Sequence, residues 1–393
     1  MRYIAAVIVA LLPLAFAGWE AFDTCPNIAM DITCSRPDHC YLVGGYSNTP
    51  FGVYESTDFQ TWDLADMKGF SPMIMSVDAS PAGPVAAGGM GVGNYSAILA
   101  SNDGKTFYNA RMPMAVGQDI KAIRNNATSP ARAAFAFVAN TMLDNSDNLF
   151  FSNDGARSFT GIKLPGQYAR YGSYPSDKLF FITQGTWPSS AKQLAADTLN
   201  HCLRKSQHIC VPAGDLSFAQ VRAHNERLAS PRNDAYIGNI LRSTDGGRTF
   251  EEVYSTNEYY FNDISCSLAG GRGEAVCLAV GEGATASQIY RSEDSGRTWT
   301  AVFSQSSTIM SSLFKVRFAG NGKTAFASGG NFDKDGLNGY VYGSTDGGRT
   351  WSVSYKQANV GMFVGLFISE DASYGAAVGI TREQTAWAVR YTA

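Results

Sequence analysis

Short apolar segments alternate with polar turns along most of the chain, which is the pattern of β-strands. Two such segments near the middle and three near the end are predicted as strands: residues 178–183, 235–241, 362–369, 374–380 and 386–391. The apolar positions near the N-terminus, residues 19–22, follow the same pattern. The chain is therefore predicted to be all-β.

Six similar turn sequences separate these strands. Three are nearly identical, at residues 243–250, 292–299 and 344–351; a close variant lies at 152–159, and shorter copies lie at 56–62 and 101–107. In each copy the Asp side chain is expected to accept hydrogen bonds from the turn backbone, and the closing aromatic to pack between sheets. We therefore expect a structural and not a catalytic role for the six aspartates: Asp58, Asp103, Asp154, Asp245, Asp294 and Asp346.

The spacing of the turns counts the repeated units. Successive copies begin 45, 51, 91, 49 and 52 residues apart, so one interval is nearly double. Residues 189–233, inside that interval, lack strand alternation, and 191–203 are predicted to be helical. The chain also ends after three strands of a last unit, and residues 19–22 offer the fourth. We predict a seven-bladed β-propeller closed by N-terminal strand exchange, with one helical insertion in blade four.

The repeated S-x-D-x-G-x-T-W pattern resembles the Asp-box (BNR repeat) β-propellers, a superfamily that includes sialidases, xyloglucanase-type glycosidases, the sortilin ectodomain and photosystem II assembly factors. The resemblance implies that the turns join third to fourth strands on one face of the propeller. The loops between second and third strands, and thus the insertion, belong to the opposite face. The nearest match to the sialidase Arg-Ile-Pro motif is Ser35-Arg36-Pro37, which lacks the Ile. Xyloglucanase-type enzymes use a cleft between two propellers, whereas this chain has material for one.

The N-terminus predicts a secretory route. Arg2 precedes an apolar run over residues 4–16 and an Ala15-Phe16-Ala17 cleavage pattern, so residues 1–17 are predicted to be a signal peptide. A retained anchor is the alternative, but the run is shorter than the roughly 20 residues that span a bilayer. We expect a secreted propeller over residues 18–393, without a transmembrane anchor after cleavage. Asn94 and Asn126 begin glycosylation sequons.

Composition excludes one class of partner. The hydrophobic fraction is 45%, the charged fraction is 17% and the formal net charge is −3, so nucleic acid is not an expected ligand. Seven cysteines in a secreted chain predict disulfides. Two pairs flank hairpin turns, one pair lies in the insertion and Cys25 is left over; the pairs are Cys34 with Cys40, Cys266 with Cys277 and Cys202 with Cys210.

The face opposite the repeated turns is the predicted binding surface. The insertion contributes His201, His208 and His224, for which a zinc site is the alternative to surface histidines. Aromatic side chains of blades four and five are predicted to contact a sugar or a protein: Tyr168, Tyr171, Tyr174, Trp187, Tyr259 and Tyr260.

Three Asp-Ile pairs begin predicted innermost strands, so Asp31, Asp119 and Asp263 are candidates for carboxylates that face the channel. Such carboxylates could form the acid and base of a glycosidase, or they could bind backbone amides. No cofactor is predicted except a possible calcium ion. The polar residues of 331–336, among them Asn331, Asp333 and Asp335, match the first half of a calcium loop, with a polar turn as the alternative.

The leading hypothesis is a secreted, non-catalytic binding propeller that recognises a protein or a glycan through the face opposite the repeated turns. The alternative is a glycoside hydrolase, sialidase- or xyloglucanase-like, that uses the channel carboxylates. A further alternative is a scaffold similar to photosystem II assembly factors, which requires that the leader begin a plastid-targeting sequence. Two carboxylates that converge, one with a raised pKa, would favour the hydrolase.

Overall fold

The chain forms a ring of β-sheets. The computed structural model describes residues 18–22, 29–44, 51–91, 93–124, 129–141, 147–166, 169–186, 236–268, 274–283, 286–307, 310–333, 336–381 and 385–393. These residues form 29 strands and one turn of 3-10 helix, Pro130–Arg132, and they contain no α-helix. The predicted leader, 1–17, and the insertion 189–233 with its predicted helix lie outside the described residues.

Seven sheets make the seven predicted blades. The N-terminal strand is β1 (Gly18–Phe22). Blade one contains β2 (Ala29–Arg36), β3 (His39–Gly44), β4 (Gly52–Ser56) and β5 (Asp63–Leu64). Blade two contains β7 (Ile74–Ala79), β8 (Val85–Gly89), β9 (Ile98–Ser101) and β10 (Thr106–Asn109), with β6 (Asp66–Met67) at its outer edge. Blade three contains β11 (Ala115–Ile123), β12 (Ala134–Thr141), β13 (Leu149–Ser152) and β14 (Thr160–Ile162).

The remaining four blades repeat this order from the channel outwards. Blade four contains β15 (Ala169–Ser173), β16 (Phe180–Thr186), β17 (Ile237–Ser243) and β18 (Glu251–Thr256). Blade five contains β19 (Tyr260–Ser267), β20 (Val276–Glu282), β21 (Ala286–Ser292) and β22 (Thr300–Ser306). Blade six contains β23 (Met310–Phe318), β24 (Ala325–Asp333), β25 (Gly336–Ser344) and β26 (Ser352–Ala358). Blade seven contains β27 (Val360–Ile368), β28 (Tyr374–Thr381) and β29 (Ala386–Thr392).

The N-terminal strand completes the seventh blade, which confirms the predicted strand exchange. Strand β1 pairs antiparallel with β29, from Gly18 opposite Thr392 to Phe22 opposite Ala388. The Trp19 ring lies 5.3 Å from the ring of Phe326 in blade six. Because both ends of the chain share one sheet, the ring closes without an unpaired strand between its first and last blades.

The apolar core is divided among the spaces between neighbouring blades. In one of these layers Ala136 and Val138 of blade three pack with Ile182 and Leu241 of blade four, and all four are almost completely buried. Complete burial of a Val, Ile or Leu side chain contributes about 1.5–3 kcal/mol to the stability of the fold. The apolar faces of the sheets are thus covered by each other, which leaves the inner edges of the blades around the central channel.

Each repeated turn is held by its own Ser and Asp side chains. Ser243 Oγ donates to Asp245 Oδ1 at 2.7 Å and accepts from the Gly247 N–H at 2.9 Å. Asp245 Oδ1 also accepts from the N–H groups of Arg248 and Thr249, both at 3.0 Å. Gly247 has a φ of +83°, a conformation that glycine adopts at little cost. The other five turns have equivalent Asp hydrogen bonds, so their carboxylates bind their own backbone.

Hydrogen bonding lowers the pKa of all six turn aspartates below the ordinary value. For Asp58, the Thr61 and Gln60 N–H groups lower the pKa to about 2.

The hydrogen bonds of the turns also show on which face of the propeller the turns lie. The Gly246 N–H donates to the Lys178 carbonyl at 2.9 Å, just before the second strand of the same blade. The repeated turns therefore lie on the face where first strands turn into second strands.

Two of the predicted disulfides are confirmed. Cys34 bonds to Cys40 and Cys266 bonds to Cys277, with Cα–Cα distances of 3.9 and 4.1 Å. Each bridge joins the first and second strands of one blade. Cys25 and the predicted pair of Cys202 with Cys210 lie outside the described residues. Within the described ranges, no helix is long and apolar enough to cross a membrane.

Candidate functional site

A bulge occurs at the same point in all seven innermost strands. The register between first and second strands shifts by one residue there, for example between Gly117 and Asp119 and between Leu313 and Lys315. Bulges redirect side chains and are common next to functional sites. The residues that directly follow the bulges form a deep ring, one per blade: Asp31, Ser76, Asp119, Tyr171, Asp263, Lys315 and Gly365.

The three candidate carboxylates lie in this deep ring and bind backbone of the next blade. Asp119 Oδ2 accepts from the Gly172 N–H at 2.9 Å, and Asp263 Oδ2 accepts from the Val316 N–H at 3.0 Å. Asp31 Oδ2 makes a longer contact of the same kind with blade two, at 3.4 Å. An innermost strand is a sheet edge, so its outward N–H groups need partners from outside the sheet. The carboxylates supply those partners and connect successive blades.

Cations from other blades neutralise the buried carboxylates. Lys315 Nζ lies 3.6 Å from Asp31 Oδ2 and 4.0 Å from Asp119 Oδ1, and all three side chains are nearly inaccessible. Arg317 forms an ion pair with Asp263. Blade six, which carries both cations, is not adjacent to blade one or blade three in the ring. The two Lys315 contacts therefore cross the central channel, whereas Arg317 and Asp263 belong to neighbouring blades.

Two carboxyl groups near the channel have pKa values shifted in opposite directions. Burial acts to raise the pKa of Asp263, but Arg317 and then Lys121 and Lys315 hold it below the ordinary value. Burial raises the pKa of Asp78, against the effect of Lys121. Both oxygens of Asp78 nevertheless accept hydrogen bonds from the protein. Asp78 binds the N–H groups of Ala79 and Ala122, at 3.0 and 2.9 Å, and the Thr33 hydroxyl at 3.3 Å.

A cavity of ≈ 270 Å³ lies above the deep ring, where the innermost strands end. Its position at the first-to-second-strand connections places it on the face of the repeated turns. The residues two positions beyond the deep ring form a second ring around the base of this cavity. Four consecutive blades, three to six, contribute hydrogen-bond donors to it, which we call the donor arc: Lys121, Ser173, Ser265 and Arg317.

An ion pair spans the rim of the cavity. Arg124 follows the innermost strand of blade three, and Glu370 follows that of blade seven. Arg124 Nη1 donates to Glu370 Oε2 at 2.9 Å, and Arg124 Nη2 lies 2.5 Å from Glu370 Oε1. The two blades are not neighbours, so this pair crosses the channel mouth. Both side chains are about half exposed.

Three of the aromatic side chains that were predicted to contact a ligand are buried in the structure. Tyr171, Tyr174 and Tyr260 are only 7%, 3% and 5% exposed, so their side chains are largely buried. Tyr260 contacts the Arg170 guanidinium at 4.5 Å, and Tyr171 contacts the Lys315 ammonium at 4.6 Å. These rings are buried because cations of the channel pack on their faces.

The other predicted aromatics differ in position. Tyr259 is partly buried, and its hydroxyl accepts from Gln288 Nε2 at 2.7 Å. Tyr174 follows the innermost strand of blade four and lines the cavity on the face of the repeated turns, not on the opposite face as expected. Tyr168 and Trp187 lie outside the described residues.

Only some of the predicted metal-binding residues lie within the described part of the chain. Asn331 is buried in β24, where it pairs with Asn338 of the next strand. The Asp333 side chain and Asp335 lie outside the described part, as do His201, His208 and His224. Among the residues that the structure describes, no three His, Cys, Asp or Glu side chains are grouped to hold a metal. Asn94 is exposed in a turn, and Asn126 lies outside the description.

The donor arc and its rim were not predicted from the sequence. Lys121 and Ser265 stand two positions after Asp119 and Asp263, which were identified. Strand alternation therefore places them on the same side as the candidate carboxylates. The occurrence of polar residues such as Lys121 and Ser265 in largely apolar strands could have indicated a polar site. The pairing of Arg124 with Glu370 had no such signal, because 246 residues separate them.

The fold and site define a seven-bladed β-propeller with a charged channel and a polar cavity at one mouth. No family model matches the chain. A segment of 125 residues is 35% identical to a xyloglucanase of Hypocrea jecorina (strain QM6a) and covers 31% of this chain but only 12% of that protein.

Solved structures share the fold at low sequence identity. Hydrazine synthase of Kuenenia stuttgartiensis is 7% identical, with a TM-score of 0.59, over 93% of this chain and 96% of the other. U3-55K is 8% identical, with a TM-score of 0.57, over 96% of this chain and 98% of the other. These likenesses support the propeller architecture alone.

Proposed function

We propose that the protein is a non-catalytic binding propeller that recognises a polar ligand, a glycan or a segment of another protein. One observation carries the proposal. Asp31, Asp119 and Asp263 each accept a backbone N–H from the next blade and lie beside a channel cation. Each of these carboxylates connects blades through its Oδ2, while its Oδ1 is buried without a hydrogen-bond partner among the described residues. Buried carboxylates that connect blades are poor candidates for proton transfer.

We also propose membership of the Asp-box propellers. The support is the sixfold recurrence of the Ser-x-Asp turn with the same hydrogen bonds, always between third and fourth strands. Membership would place the insertion 189–233 on the face opposite the cavity, as a second surface for recognition. Removal of 189–233 with a short linker is then expected to leave a cooperative unfolding transition.

A secretory location is proposed from the chemistry of the cysteines. The two cross-strand disulfides persist in oxidising compartments. This is in keeping with cleavage of residues 1–17 and with modification of the exposed Asn94. Amino-terminal sequencing of the exported protein would test the cleavage site, and an unprocessed terminus would contradict it.

Hydrolysis of a glycan is the second candidate, and the identity of one segment to a xyloglucanase favours it. It requires two carboxyl groups that flank a bond, one of them a proton donor. Asp78 has the raised pKa that a general acid needs, yet both of its oxygens already accept hydrogen bonds from the protein. The proposed binding function does not need such a free acid.

A paired screen separates the two functions. The disulfide-intact protein would be tested on a glycan array and on glycosidase substrates, beside the variants Asp119→Asn and Asp263→Asn. We expect binding without turnover. Turnover that either variant abolishes, with the fold retained by circular dichroism, would instead establish a hydrolase with its site at the channel.

A further inference from the structure

The cavity at the channel mouth is rich in unused hydrogen-bond donors. Ser173 Oγ accepts from the Cys266 N–H and Ser265 Oγ accepts from the Phe318 N–H, both at 3.0 Å, so each hydroxyl hydrogen is available. Neither hydroxyl has a donor contact among the described residues. Both side chains are partly exposed to the cavity.

The cations at the two ends of the donor arc also have more N–H donors than the contacts described for them use. Lys121 Nζ has three hydrogens, and within the described ranges its ion pair is with Asp119, at 3.2 Å. Arg317 Nη1 binds Asp263 and the Val316 carbonyl, while a guanidinium carries five N–H donors. The Lys121 and Arg317 side chains are 13% and 17% exposed, so they reach the cavity and are otherwise held in place.

The acceptors around the cavity are mostly occupied. Asp78 accepts three hydrogen bonds from the protein, and Glu370 is paired with Arg124 on both of its oxygens. Three cations and two acids line the cavity, Arg124 being the third cation. Lys121 and Arg317 are paired with Asp119 and Asp263 beneath the cavity, so the cavity offers charged donors without a net positive charge. A ligand group with several acceptor oxygens therefore complements the donors of the cavity.

We propose that the donor arc binds an oxyanion, the carboxylate or sulfate group of a small ligand, at the mouth of the channel. The inference rests on the proposed binding function and names the chemistry of its ligand. Because four consecutive blades contribute one donor each, the arc is fixed by the fold before the ligand arrives. Glu370 competes with the ligand for Arg124, so the rim ion pair opens when the oxyanion enters.

Titration calorimetry of the full, disulfide-intact chain tests the proposal with glucuronate, its uncharged counterpart glucose, and inorganic sulfate. We expect glucuronate or sulfate to bind, glucose not to bind, and affinity to fall as ionic strength rises. Binding of sulfate alone would assign the arc to a tetrahedral oxyanion, and binding of glucuronate alone to a carboxylate. Equal binding of glucose and glucuronate, or no binding of either anion, would overturn the proposal.

Three variants locate the site. Lys121→Met removes a charged donor and is expected to weaken binding about tenfold or more. Glu370→Gln removes the competing carboxylate and is expected to tighten binding about two- to fivefold. Arg297→Ala is the matched control, since Arg297 forms an exposed ion pair with Glu274 away from the cavity. Its affinity should equal that of the parent protein.

The gain expected for Glu370→Gln cannot arise from misfolding, which keeps the test decisive even where Lys121→Met unfolds. Unchanged affinity in Glu370→Gln and in a folded Lys121→Met would overturn the arc and leave a binding function elsewhere intact. Turnover of a glucuronide substrate would instead overturn the proposed function, while anion affinity would still report on the arc.

Discussion

The repeated turns and the central channel use the same side chain in opposite ways. At the turns, an aspartate binds the backbone within four residues of itself, in water, and its pKa is lowered by those hydrogen bonds. In the channel, Asp119 and Asp263 bind backbone 53 residues away and are not exposed. Asp119 lies beside Lys121 of its own blade and Lys315 of blade six, and Asp263 lies beside Arg317 of blade six. A turn carboxylate thus serves one turn, whereas a channel carboxylate connects blades.

The difference explains why one region repeats and the other varies. A local hydrogen-bond pattern can be copied in each blade without reference to its neighbours. A channel filled seven times with the same charge would be strongly destabilised by repulsion. The deep ring therefore mixes acids, a lysine, a tyrosine and small residues, and this asymmetry creates a donor arc on one side only.

The largest expected effect comes from the channel. Lys315→Met should destabilise the protein by about 3–5 kcal/mol, because Asp31 loses its cation and stays buried. Denaturant unfolding measures the loss. The double variant with Asp31→Asn should recover part of it.

The control for Lys315 is a lysine of the same blade. Lys356→Met changes an exposed side chain of β26 and should stay within about 0.5 kcal/mol of the parent protein. Equal effects of the two lysine substitutions would remove the contrast between channel and surface.

The hydrogen bonds of a single turn should contribute less to the free energy of unfolding than the Lys315 contacts do. Asp294→Ala removes hydrogen bonds to the N–H groups of Arg297 and Thr298, both at 2.9 Å, and should cost about 1–2 kcal/mol. Glu252→Ala, an exposed carboxylate outside the turns, is the matched control with an expected change near zero. A loss for Asp294→Ala as large as that for Lys315→Met would show that the turns also couple the blades.

The smallest effects are in the pH dependence of stability, and they differ in sign. The lowered pKa of Asp58, about 2, stabilises the fold above about pH 4, and this contribution is lost as the pH falls towards 2. The raised pKa of Asp78 has the reverse consequence: its contribution is present below about pH 4 and is lost as the pH rises through the folded-state pKa.

Unfolding midpoints measured from pH 2.5 to 7 would resolve the two signs. Relative to the parent protein, Asp58→Asn should lose stability with rising pH, and Asp78→Asn should gain it. Parallel curves for the two variants would show that turn and channel carboxylates titrate alike, which would contradict the difference between these two regions.

Much of the architecture was predictable because its signals are local. The Ser-x-Asp turns, the hairpin cysteines and the apolar alternation each lie within a few residues, and together they predict seven blades and the pairing of residues 19–22 with the last blade. The candidate aspartates were also predictable as residues of innermost strands, although they were expected to begin those strands and instead lie inside them, directly after the bulge. Most of their partners were not predictable, because the N–H groups, Lys315 and Arg317 belong to other blades.

The sequence by itself thus determined the repeating unit, the number of blades, two disulfides and the closure of the ring. Only the tertiary structure decided which face holds the cavity, that Tyr171 and Tyr260 are buried under cations, and that four donors from different blades meet at the channel mouth. The physical reason is distance along the chain. Hydrogen bonds within a turn are fixed by neighbouring residues, whereas the contacts of the channel exist only after the ring has closed and brought the seven innermost strands around one axis.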